Sequence, residues 1–105
     1  MNATEAAMTR REDLEVLSAE IGSPPVVDLH CADNTHDGVQ ELERFLDRLY
    51  IDGATVVKII HGRGTGAMRR AVHEALTESP YVVYFRDANA GHSAGGVTFA
   101  VLNST

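Results

Sequence analysis

Two histidines and one carboxylate are the residues of this sequence best placed to do chemistry. His30 closes the run Val26-Val27-Asp28-Leu29-His30, and His61 directly follows Thr55-Val56-Val57-Lys58-Ile59-Ile60. Imidazole titrates near neutral pH and can move a proton to or from a substrate oxygen. Asp28 lies two residues before His30, so on a strand it shares its face. There it can orient the ring or help hold a cation. Asp28, His30 and His61 together offer one loose site for a divalent cation such as Mg2+ or Mn2+, without a strong pattern of metal ligands.

The second feature begins at the second histidine. His61-Gly62-Arg63-Gly64-Thr65-Gly66 turns straight into an amphipathic run. Such a turn has the mechanics of an anion site. Glycines let a ligand approach the main chain, and the next helix offers unpaired amides at the positive end of its dipole. Arg63 adds a planar fork suited to phosphate, with Arg69 and Arg70 in the first turns of that helix. It is neither a Walker loop nor the dinucleotide fingerprint, whose glycine and lysine spacings differ.

These residues need elements to position them. Val26 to His30, Thr55 to Ile60, Tyr81 to Arg86 and Val97 to Leu102 read as strands. Val39, Leu42, Phe45, Leu46 and Leu49 mark one face of a helix over about 36–52, stopped by Gly53. Met68, Ala71, Val72, Ala75 and Leu76 mark a second helix, closed by Ser79-Pro80. The order is βαβαββ. A strand-helix-strand crossover is right-handed, so both helices fall on one face of the sheet and leave the other open. Both imidazoles then emerge at the carboxyl edge, where open α/β sheets bind ligands.

Alternation assigns Val27, Leu29, Val57, Ile59, Val83, Phe85, Phe99 and Val101 to the helix side. Asp28, His30, Lys58, Tyr84, Arg86 and Thr98 fall on the other, as either a solvated face or a binding surface. Ahead of this domain, Thr9-Arg10-Arg11-Glu12 has capping-box spacing, and Leu14, Leu17 and Ile21 suggest a short helix over about 10–21. The expected organisation is an extension over 1–24, one domain over 25–102 and a tail over 103–105.

With 105 residues, 44% of them hydrophobic, the chain suits one ordinary globular domain. No run approaches the length of a membrane span and no signal peptide is visible, which together with the single cysteine, Cys31, suggests a cytoplasmic protein. The net charge of −6 is the wrong sign for a nucleic-acid binder, but its distribution is uneven. Residues 1–52 carry four basic and 12 acidic side chains, whereas Lys58, Arg63, Arg69, Arg70 and Arg86 against Glu74 and Glu78 give residues 53–86 a net charge of +3.

In sequence order, Val27-Asp28-Leu29-His30, Ile59 to Arg69, Pro80-Tyr81-Val82 and Gly96-Val97-Thr98 resemble the small MutS-related (Smr) domain family. That family shows LDLHG, then HGKG or HGRG with TGxLR, and a glycine-rich lead into the last strand. The resemblance implies a two-layer α/β sandwich, a four-stranded mixed sheet with two helices on one face, like the C-terminal domain of translation initiation factor three. It also implies endonuclease activity, as nicking of DNA or cleavage of structured RNA. His30 or His61 would then be general acid or base and Asp28 an orienting carboxylate. Gly62, Arg63, Gly64, Thr65 and Gly66 would hold the scissile phosphate, with Lys58, Arg69, Arg70 and Arg86 on its neighbours. The alternatives are a module that binds nucleic acid or the ribosome without cutting, and a phosphate-ligand or protein-interaction domain. Two positions depart from the pattern: Cys31 stands where a glycine is usual, and Ser93-Ala94 stand at the usual glycine pair.

Overall fold

Asn34 starts the first long helix with its side chain, whose oxygen accepts from the Asp37 amide at 2.9 Å. That helix is α2 (Thr35–Asp52), and Gly53 ends it, donating back to the Leu49 and Tyr50 carbonyls. The computed structural model describes residues 12–19, 22–88 and 95–103. Residues 12–19 form a first helix, α1. The other elements are β1 (Val26–Asp28), β2 (Val56–Ile60), α3 (Ala67–Glu78), β3 (Val82–Asp87) and β4 (Val97–Leu102). The expected boundaries lie within two residues of these, because caps and prolines mark most of them. Thr9 and its capping box fall outside the described residues, as do Ser93 and Ala94.

The four strands form one mixed sheet in the order β1-β2-β4-β3. β1 pairs parallel to β2, and β4 runs antiparallel to both β2 and β3. Because β3 and β2 flank the same antiparallel strand, β1, β2 and β3 all point one way. α2 and α3 pack on one face through Leu42, Leu46, Val72 and Leu76, against Val57 and Ile59 of the sheet. No described helix is long and apolar enough to cross a membrane.

The second face is not open, as the crossover argument had it. Val16 of α1 is fully buried there, in a cluster with Val56, Val97, Phe99 and Val101. α1 is also tied down by charge: the Tyr84 hydroxyl donates to Asp13 at 2.7 Å, and Arg86 pairs with the same carboxylate at 3.3 Å. Two assignments of face change with it. Phe99 and Val101 belong to this second cluster, while Ala100 and Leu102 join the helix-side core and Thr98 joins them on that side. All six residues of β4 are buried, so both of its faces are covered and alternation could not tell which one meets α2 and α3. Val83 is half exposed because the β3–β4 register shifts between Val82 and Tyr84 and turns it outward.

Docking of α1 has a measurable consequence. Val16→Ala removes buried methyl groups and lowers unfolding stability by about 1–2 kcal/mol, read as a fall in the urea midpoint. An unchanged midpoint would mean that α1 contributes nothing to the sheet.

Candidate functional site

The turn after β2 is built against the start of β4. The amides of His61 and Gly62 both donate to the Gly96 carbonyl, each at 3.0 Å. On the other side, the Leu29 amide donates to Ile60 at 2.7 Å and carries β1 to the same edge. Between them opens a cavity of about 380 Å³ lined by His30, Asn34, Thr35, His61, the turn from Gly62 to Gly66, and Arg69. α3 begins at this cavity without a side-chain cap, since Gly66 has none to give. Its positive end faces the mouth, with the first amide, that of Ala67, donating to the Thr65 hydroxyl at 3.3 Å.

Gly62 is constrained twice. Its φ of 80° lies in the left-handed region, and a Cβ there would come within 3.1 Å of the His30 Cβ. The first glycine of the loop thus allows the loop and the β1 histidine to touch.

His30 stands at the lip, its side chain 52% exposed beside an Asp28 that is 47% exposed. Its Nδ1 is held by Asp28 Oδ1, which also accepts from the His30 amide at 3.1 Å. This hydrogen bonding lowers the Asp28 pKa below its ordinary value. A carboxylate on Nδ1 fixes that nitrogen as the proton carrier and leaves Nε2 as the working atom. Cys31 Sγ lies 3.2 Å from that Nε2. The cysteine occupies its position without strain, since no non-glycine among the described residues has a positive φ.

His61 is turned the other way, inward. It is only 3% exposed; Nδ1 donates to the Gly62 carbonyl at 3.0 Å, and Nε2 meets the Thr98 hydroxyl at 2.9 Å. The same hydroxyl lies 3.0 Å from His73 Nε2 and 3.1 Å from Asp87 Oδ1, and His73 Nε2 is 3.2 Å from Asp87. Arg69 grips both oxygens of Asp87. Hydrogen bonding from Arg69 is the main cause of the lowered Asp87 pKa. Burial is the main cause of the lowered His61 pKa, with charge repulsion from His73 and Arg69 adding to it against the Gly62 bond and Asp87. Donor atoms of His61, His73 and Asp87 fall within 4.8 Å of one another, near enough to surround a cation. Each is already engaged, and the Arg69 guanidinium cancels the one negative charge, so the set suits a hydrogen-bonded network better than a metal.

Most residues expected at the site are brought together. His30, His61, Gly62, Arg63, Gly64, Thr65, Gly66 and Arg69 all line the one cavity, with Asp28 behind His30. Arg70 reaches the loop, its guanidinium 3.4 Å from where a Gly66 Cβ would stand. Lys58 and Arg86 are not part of it. Both sit across from Phe99 in the register, on the face that carries α1, where Arg86 is paired with Asp13. Asn34, His73 and Asp87 were not anticipated at the site, and Thr98, expected on the opposite face of the sheet, joins them. For His73 a signal existed: it follows Arg69 by four residues and so shares its helix face.

A mixed four-stranded sheet with α2 and α3 on one face and a histidine-glycine loop at the carboxyl edge of its parallel strands defines the class. The Smr domain model matches residues 27–103, and this chain belongs to that family. Endonuclease MutS2 of Aquifex aeolicus (strain VF5) is 45% identical over 64 residues, 61% of this chain and 8% of that protein. Endonuclease MutS2 of Halothermothrix orenii is 36% identical over 80 residues, covering 76% of this chain and 10% of its own length. The chain therefore spans about a tenth of these relatives. The Smr domain of Thermus thermophilus MutS2 superposes with a TM-score of 0.71 at 33% identity, over 75% of this chain and 98% of that one. YdaL, a stand-alone small MutS-related protein from Escherichia coli, shares the fold with a TM-score of 0.68 at 21% identity, over 79% of this chain and 67% of its own.

The lowered His61 pKa fixes a pH dependence. Its unfolded value is near 6.5, so the unfolded chain takes up the proton first. The stability from neutral His61 is present above that pH and is lost as pH falls from it toward the folded pKa. Chemical unfolding between about pH 8 and pH 5 should show this loss, and His61→Gln should flatten it. An unchanged slope in the variant would assign the loss to other groups.

Proposed function

We propose that this chain is a nucleic-acid endonuclease that cleaves a phosphodiester bond in DNA or structured RNA. The reading is carried by one juxtaposition: an Asp28-oriented imidazole at the lip of a cavity whose floor is an arginine-bearing anion loop. In this scheme Arg63, the loop amides and the first turn of α3 bind the scissile phosphate and stabilise its developing charge. His30 Nε2 takes a proton from the attacking oxygen or gives one to the leaving oxygen. His61, buried and doubly bonded, holds the loop in shape. Arg70 supplies positive potential at the mouth, while Arg69 is engaged with Asp87, and the relatives' name, Endonuclease MutS2, agrees with this activity.

One observation favours a second reading, a module that binds nucleic acid or the ribosome without cutting. The Cys31 thiol sits on His30 Nε2, the atom that a nuclease must present to its substrate. The two readings separate in one assay. Supercoiled plasmid and structured RNA are incubated with the protein, with and without Mg2+ or Mn2+. Under the nuclease reading His30→Ala lowers cleavage by about 10²–10⁴-fold, the usual contribution of a proton-transfer residue, while binding persists. Cleavage that is absent, or unchanged in His30→Ala, removes the catalytic assignment.

Cys31→Gly should raise cleavage, because it releases Nε2. A rate that stays the same or falls would show that the thiol does not restrain His30. Arg63→Ala should weaken binding about tenfold to hundredfold, from ~1.5–3 kcal/mol of charge-assisted hydrogen bonding, with a shallower salt dependence measured by fluorescence anisotropy. Unchanged affinity would place the phosphate elsewhere.

A further inference from the structure

We propose that Thr98 is a positioning residue for the anion loop: its hydroxyl donates to His61 Nε2, leaves Nδ1 as the protonated nitrogen, and so ties the Gly62 carbonyl to β4. The inference rests on the role proposed above for that loop. It follows from counting protons. A carbonyl only accepts, so the His61–Gly62 contact at 3.0 Å requires hydrogen on Nδ1. In neutral imidazole Nε2 is then an acceptor, and the atom facing it at 2.9 Å is the Thr98 hydroxyl. That hydroxyl has one proton and two candidate acceptors, His61 Nε2 and Asp87 Oδ1 at 3.1 Å.

His73 decides between them. Its Nε2 lies 3.0 Å from Thr98 Oγ1 and 3.2 Å from Asp87 Oδ1, so one N–H shared between the two oxygens satisfies both. The Thr98 proton is then free to point at His61. Packing holds His73 in place: its ring sits 5.1 Å from that of Phe85 and 6.2 Å, edge to face, from that of His61. Arg69 holds Asp87 from the other side. The hydrogen bonds thus run one way, from His73 through Thr98 to His61 and on to Gly62. Gly62 is the residue that touches His30, so the chain of bonds ends against the proposed proton-transfer group. If His61 gains a proton, the hydroxyl must turn to Asp87 and the order reverses. The network therefore has two settings, selected by one proton.

The test is histidine nitrogen NMR on the full chain at about pH 7.5, above the ordinary histidine range, with cleavage measured in parallel. The wild-type protein should show His61 as the Nδ1–H tautomer and His73 as the Nε2–H tautomer. Thr98→Val, which keeps shape and removes the hydroxyl, should mix the His61 tautomers and shift the Gly62 and Gly64 amides. Thr98→Ser should restore both. Cleavage should fall at least tenfold in the valine variant through KM more than kcat, and recover within about threefold in the serine variant. An Nε2–H tautomer at His61 in the wild type overturns the inference without any variant. So does a valine variant whose His61 tautomer and loop amides are unchanged. Added Mn2+ that broadens the His61 and His73 resonances selectively would mark the cluster as a metal centre and overturn it as well. If no substrate is cut, the nuclease reading fails while the tautomers still decide this one.

Discussion

A single carbonyl organises the site. Gly96 accepts from two consecutive amides, His61 and Gly62, and so uses both lone pairs of its oxygen. This fixes the end of β2 to the start of β4, neighbours in the sheet but 37 residues apart where His61 meets Thr98. With those two amides bound, the chain must leave β2 in one direction. Gly62 takes its left-handed turn against His30, His61 swings inward, and α3 starts at the cavity. Loosening that carbonyl would move the loop, the helix start and the β1 lip together, because two consecutive amides of the turn hang on it.

The fold was legible because local chemistry marked its boundaries. Gly53 ends α2, Pro80 follows α3, and the heptad-like spacing of Leu42, Leu46 and Leu49 showed which face would be buried. The loop was legible too, since glycines, arginine and a following helix lie within ten residues. What was hidden depends on contacts between distant segments. Thr98, His73 and Asp87 become neighbours only once β4 has slotted between β2 and β3. The face of β4 was hidden for a different reason: a strand buried on both sides has no pattern to read. The cover provided by α1 was hidden because crossover handedness constrains α2 and α3 but says nothing of a helix that precedes the first strand.

Charge is sorted by the sheet rather than along the chain. The basic segment divides in two: Arg63, Arg69 and Arg70 stay with the cavity, whereas Lys58 and Arg86 go to the opposite face. There an acidic helix meets Arg86, with Asp13 serving both Tyr84 and Arg86. The acidic excess of the N-terminal half is thus partly spent inside the molecule, on the face away from the glycine-rich loop. Net charge, summed over the chain, averages two faces whose charges are arranged differently.

The register shift in β3 reaches beyond the packing of Val83. Both outer strands of this sheet leave one row of amides and carbonyls without a neighbouring strand, which is the arrangement that invites a second chain to add on. β1 is only three residues long and follows two prolines, and β3 is broken by its bulge. Neither presents a flat, regular row. Val26 and Val83, half exposed on these two borders, therefore sit on templates too short or too bent to copy, and the domain can keep valine at its margins without growing into a fibre.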